Sequence, residues 1–84
     1  MPSATLKLYS VLAKHLPAGA EKNMAAIPVG EATTVGSLIA AFNLPPQHCH
    51  LVLLNGVFVP PEARDATPVR DGDAVAIWPP VAGG

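Results

Sequence analysis

HLVLLNGVFVPP, His50 to Pro61, carries the clearest local signal in the chain. Two apolar runs flank Asn55-Gly56. That pair suits the type I′ turn, whose two central residues need positive φ and whose twist matches the strands it joins. An antiparallel hairpin is therefore expected here, and a hairpin needs further strands and a covering layer to be stable.

The neighbouring segments supply both. Upstream, in GEATTVGSLIAAFNLPP, Val35, Leu38, Ile39 and Phe42 stand at i, i+3, i+4 and i+7, one apolar stripe of a helix. Thr33 or Thr34 can cap its start, Asn43 suits a left-handed end residue, and Pro45-Pro46 stop it. Gly36 weakens that helix by roughly 1 kcal/mol against Ala. Downstream, in RDGDAVAIWPP, Asp71-Gly72-Asp73 reads as a turn and Ala74 to Trp78 as a strand, with Val75 and Ile77 on one face and Trp78 on the other. Pro79-Pro80 must leave the sheet, because neither has an N–H to pair.

Near the N-terminus TLKLY, Thr5 to Tyr9, alternates as a half-buried strand with Leu6 and Leu8 inward. SVLAKHLPAG breaks that period and reads as a short helical turn and a loop. MAAIPV, Met24 to Val29, reads as a second strand, placed at a sheet edge by Pro28. The order strand, strand, helix, strand, strand, strand puts one apolar helix face on one small sheet. The expected fold is α+β, a mixed sheet of five strands on one main helix in the β-grasp (ubiquitin-like) arrangement. A β-grasp domain over residues 1–78 and an extended, flexible tail over residues 79–84 are the expected units.

Composition limits the function. Half of the 84 residues are hydrophobic and only 13% are charged, which argues for a packed domain rather than disorder. The net charge is −1 with no basic stripe, so nucleic acid and anionic membrane are poor partners. No segment approaches the ~20 apolar residues of a membrane helix. The N-terminus shows no signal-peptide pattern, and a lone cysteine forms no internal disulfide; a cytoplasmic location is expected.

Few residues point to chemistry. His48-Cys49-His50 holds three potential metal ligands, but adjacent residues rarely converge on one ion and no second cluster completes the set, so no metal is expected. Cys49 is better read as a small apolar residue between helix and strand than as a sulfur-bearing thiol. Asp65, Asp71 and Asp73 together suggest a cation site, but Asp71-Gly72-Asp73 fits turn chemistry better. There is no nucleophile–base pair, phosphate loop or carboxylate dyad, so the chain is expected to carry no catalytic machinery of its own.

The terminal stretch DGDAVAIWPPVAGG, Asp71 to Gly84, closely resembles the molybdopterin synthase small-subunit family, within the wider ubiquitin-like sulfur carriers. LVLLNGVFV resembles that family's central hairpin and TTVGSLIAAF its helix. Trp78 stands where a Phe is more usual. The resemblance implies a cycle in which an E1-like adenylating enzyme, using ATP and Mg, activates the Gly84 carboxylate. A sulfur donor such as a cysteine desulfurase or rhodanese then turns it into a thiocarboxylate. The large subunit of molybdopterin synthase, or an equivalent acceptor enzyme, takes the sulfur. No cofactor would be bound permanently, and the catalytic side chains would lie on the partners.

The tail suits that work physically. Gly83 and Gly84 carry no Cβ, so they can enter a narrow channel and bend freely. Pro79 and Pro80 fix φ and lower the entropy lost on insertion. The six residues Pro79 to Gly84, with Val81 and Ala82 in the middle, reach roughly 20 Å when extended. Trp78, on the strand face away from the helix and beside the tail, is a candidate anchor for a partner. The same tail fits a sulfur carrier of thiamine or another sulfur-transfer pathway, or a ubiquitin-like modifier joined to target lysines through Gly84. A pure interaction domain with an inert tail is the remaining alternative.

Overall fold

The computed structural model describes residues 2–80; Met1 and Val81 to Gly84 lie outside it. Five strands among these residues form one mixed sheet: β1 (Ser3–Leu8), β2 (Met24–Pro28), β3 (Leu51–Leu54), β4 (Val57–Phe58) and β5 (Ala74–Trp78). Their order is β2-β1-β5-β3-β4. β1 and β5 run parallel, and all other pairs are antiparallel. The single α-helix among the described residues, α1 (Val35–Ala41), belongs to the crossover between β2 and β3. This is the β-grasp arrangement expected from the sequence.

Alternation decides which side chains form the core. Ala4, Leu6 and Leu8 of β1, Ile27 of β2, Val52 of β3, and Val75 and Ile77 of β5 all face the helix and are buried. They form one cluster with Val35, Leu38 and Ile39 of α1. Each fully buried aliphatic side chain is worth roughly 1.5–3 kcal/mol, so this one-sided core stabilises the domain. Phe42, expected on the helix stripe, instead caps the helix C-terminus and is only partly buried against the core.

The local signals act where they were read. Asn55 and Gly56 have φ of 52° and 85°, the two positive values a type I′ turn requires. Pro28 ends β2 at the sheet edge. Thr34 is the helix cap: its side chain accepts from the Ser37 N–H, while the Ser37 hydroxyl accepts from the Thr34 N–H, a reciprocal capping box. Asn43 takes φ 57° just beyond the helix. β1 begins and ends slightly earlier than expected, and Tyr9 follows it, yet the Tyr9 N–H still donates to the Ile77 carbonyl.

Two features go beyond the sequence reading. The proline-rich stretch after the hairpin folds into a 3-10 helix, Pro61–Ala66, with proline in its first turn, where no N–H is needed. Gly36 also does more than weaken α1. A Cβ there would collide with the Asp65 carboxylate and lie 3.1 Å from the Asp65 Cα, so its missing side chain lets the 3-10 helix close against α1.

Candidate functional site: the exit of the last strand

β5 is central in the sheet and leads into the tail. At its start, Asn55 and Asp73 clasp the hairpin turn to the Asp71-Gly72-Asp73 turn. The Asn55 Nδ2 donates to Asp73 Oδ1 at 3.0 Å, and the Asn55 Oδ1 accepts from the Ala74 N–H at 2.9 Å. The Ser3 N–H donates to Asp71 Oδ1 at 2.9 Å. These carboxylates therefore serve the turns, as expected.

At its other end β5 is held from both sides. The Ile77 carbonyl accepts from the Tyr9 N–H at 3.2 Å, and the Trp78 carbonyl accepts from the His50 N–H at 3.0 Å. Pairing stops there because Pro79 and Pro80 have no N–H to give. Pro79 is buried and Pro80 exposed, so the chain leaves the body between them. The point and direction of departure are thus fixed by backbone hydrogen bonds. Val81, Ala82, Gly83 and Gly84, the reactive end in the sequence reading, lie outside the described residues.

Trp78 lies on the face opposite Val75 and Ile77, the face α1 leaves uncovered. It is half-buried rather than fully exposed, because its indole stacks on Tyr9 with ring centroids 4.4 Å apart and planes 3° from parallel. Sequence reasoning found Trp78 but missed Tyr9. The parallel pairing of β1 with β5 sets Tyr9 beside Trp78, a relation between the two ends of the chain that no short stretch of sequence carries. The paired Leu51 of β3 is exposed on the other side. Tyr9, Trp78 and Leu51 thus make an aromatic and aliphatic patch at the base of the tail.

The competing sites gain no support. His48 and His50 are exposed while Cys49 is buried, and the described residues hold no group of three His, Cys, Asp or Glu able to bind a metal. The Cys49 thiol donates to the Pro45 carbonyl at 3.4 Å, and burial pushes its pKa up, opposed by the nearby Arg64 charge. Burial and a raised pKa both lower a thiol's reactivity, the setting of a packing group. No helix among the described residues is long and apolar enough to cross a membrane.

A ubiquitin-like fold that delivers its last strand into a diglycine tail defines a class of small carrier protein. The chain matches the ThiS family over residues 18–84 and belongs to it, among the ubiquitin-like sulfur carriers. It is 28% identical to the thiamine biosynthesis protein ThiS from Geobacter metallireducens, with a TM-score of 0.61 and coverage of 95% of this chain and 99% of that one. It is 26% identical to SAMP1 from Haloferax volcanii, with a TM-score of 0.65 and coverage of 98% and 99%. No protein of curated function matches the chain by sequence.

Proposed function

We propose that this chain carries sulfur as a thiocarboxylate on Gly84 and donates it in molybdopterin biosynthesis, as the small subunit of molybdopterin synthase. The observation that carries the reading is the exit of β5, pinned by His50 and Tyr9 and followed at once by Pro79-Pro80 and a segment that matches the ThiS family through residue 84. A carboxylate resists attack because of its charge and resonance. An E1-like enzyme transfers AMP from ATP, with Mg, to the Gly84 carboxylate and releases pyrophosphate. A cysteine desulfurase or rhodanese presents its sulfur as a persulfide, whose terminal sulfur displaces AMP to form an acyl disulfide. Two equivalents of a thiol reductant then cleave the S–S bond, leaving the thiocarboxylate and the donor's free cysteine and themselves becoming a disulfide. The thiocarboxylate enters the acceptor enzyme on the tail, with Trp78 docked at its mouth. Val81 and Ala82 give the extended reach, and Gly83 the clearance.

The Pro-Pro-Val segment favours the molybdopterin route. The likeness to ThiS of Geobacter metallireducens favours a second reading, a sulfur carrier of thiamine biosynthesis. The deciding experiment incubates the chain with ATP, a cognate activating enzyme and a sulfur donor, then measures intact mass. Replacement of one oxygen by sulfur at Gly84 is expected. A version with one residue added after Gly84 should remain unmodified, and its modification would overturn the assignment of the reactive group. Turnover of the thiocarboxylate with each pathway's acceptor enzyme then separates the two routes.

A further inference from the structure

Arg64 is the one charged residue buried among the described residues, only 8% exposed. Its Nε donates to the Val59 carbonyl over a long 3.4 Å. Its Nη2 is closed to solvent and has no hydrogen-bond partner, the single buried side-chain nitrogen or oxygen in that condition among the described residues. Leaving a buried donor of a cation unmade is costly, more so than for a neutral group.

Arg64 also forms part of the wall of a cavity of about 680 Å³ between the C-terminal half of α1 and the Pro61–Ala66 turn. That volume lies in the range of small-molecule sites, roughly 300–1,000 Å³. Ile39, Leu44, Pro45 and Pro61 give the wall its mainly apolar character. The close approach of Asp65 to Gly36 sets one edge, and a side chain at Gly36 would force that edge to shift.

We propose that this cavity binds a small monocarboxylate with an apolar body, whose carboxylate accepts from the Arg64 guanidinium while its carbon chain lies along Ile39, Leu44 and Pro61. Three observations select that chemistry. The planar guanidinium matches a carboxylate and cannot be deprotonated. There is one cation, enough for one negative charge, and the exposed Asp65 carboxylate on the rim repels a dianion such as phosphate. Apart from Asn43, the remaining side chains of the wall are hydrocarbon and the Cys49 sulfur, which favours an apolar body over a sugar or nucleotide. Because Nη2 is closed to solvent, binding in this proposal requires the Arg64 side chain to turn its guanidinium toward the ligand. The cavity lies on the helix side of the sheet and Trp78 on the other, so the site does not depend on the tail chemistry.

The test is an amide-resolved NMR titration of the full chain with hexanoate, hexanamide and inorganic phosphate in parallel. Hexanoate is expected to give saturable shifts at Gly36, Cys49 and Arg64, with hexanamide at least about tenfold weaker and phosphate without effect at these residues. Failure of hexanoate to saturate at tens of millimolar overturns the proposal. So does equal binding of hexanamide, or saturation by phosphate at the same residues. Arg64→Gln should abolish the hexanoate shifts, and retained binding in the folded variant counts against Arg64. If that variant does not fold, the comparison of hexanoate with hexanamide on the native chain decides.

Discussion

Tyr9 and Trp78 stack face to face across the parallel pair β1 and β5, with ring centroids 4.4 Å apart and planes 3° from parallel. The stack joins the residue that follows the first strand to the residue that ends the last. Such pairs are worth roughly 0.5–1.5 kcal/mol beyond the area they bury. Urea unfolding of Tyr9→Ala, Trp78→Ala and the double variant should give a coupling energy in that range. Additive single effects would show that the rings touch without supporting each other.

Trp78 on its own separates folding from docking. A fully buried aromatic costs roughly 3–5 kcal/mol on truncation to Ala; this half-buried one should cost the isolated domain less. If it anchors a partner, calorimetric affinity for the activating or acceptor enzyme should fall by about 2 kcal/mol or more, as hot-spot aromatics do. Unchanged affinity, with the stability loss of a core residue, would assign Trp78 to the fold alone.

Gly36 tests the packing of α1 against the Pro61–Ala66 turn. Helix propensity alone says Gly36→Ala stabilises by roughly 1 kcal/mol. The Asp65 carboxylate and backbone oppose it, because the new Cβ meets both. Overpacking of this kind costs roughly 1–3 kcal/mol, so a net loss is expected in thermal unfolding. Asp65→Ala in the same chain should recover part of it, because it removes the carboxylate but leaves the residue 65 backbone against the new methyl group. A gain in stability for Gly36→Ala alone would show that Asp65 moves aside freely.

Cys49 is 4% exposed and its thiol is held neutral by burial. A thiol reagent at neutral pH should label the native protein far more slowly than the urea-unfolded chain. Cys49→Ala should also leave sulfur transfer within about tenfold of the parent, a barrier change under roughly 1.4 kcal/mol. Rapid labelling of the folded protein, or loss of transfer in a well-folded variant, would give the cysteine a chemical role.

What could be read in advance was local. Asn55-Gly56, a threonine cap at Thr33 or Thr34, the helix stripe of Val35, Leu38 and Ile39, and the edge position of Pro28 each depend on a few adjacent residues. Trp78's side of the strand followed from alternation alone. Its partner Tyr9 required the pairing of strands at opposite ends of the chain. Arg64 and the close approach of Asp65 to Gly36 required the docking of a 3-10 helix onto α1, for which Pro60-Pro61 signals a start but no destination. The resemblance of the tail is what points to Gly84 as the proposed reactive end, whereas the helix-side cavity left no mark in any short motif.

Asp73 makes the sheet's turn end sensitive to acid. Its Oδ1 accepts from the Asn55 side chain and its Oδ2 from the Arg70 N–H at 2.8 Å. These hydrogen bonds, the Asn55 one foremost, hold its carboxyl below the ordinary carboxylate value. A folded pKa below the unfolded one means that the unfolded chain binds more protons in acid. The contribution is therefore fully present above the unfolded pKa, about 4, and is lost as pH falls through the folded value. Asp73→Asn replaces one acceptor oxygen with a donor that faces either the Asn55 amide or the Arg70 N–H. The variant should be less stable at neutral pH, and its deficit should begin to shrink as pH drops below about 4, where Asp73 of the unfolded chain takes up a proton, and go on shrinking until pH passes the lower folded value and native Asp73 is itself protonated. Thermal unfolding of both proteins over this pH range isolates the residue, because the other carboxylates titrate alike in each. A deficit that stays constant with pH would assign the effect of Asp73 to geometry rather than to its charge.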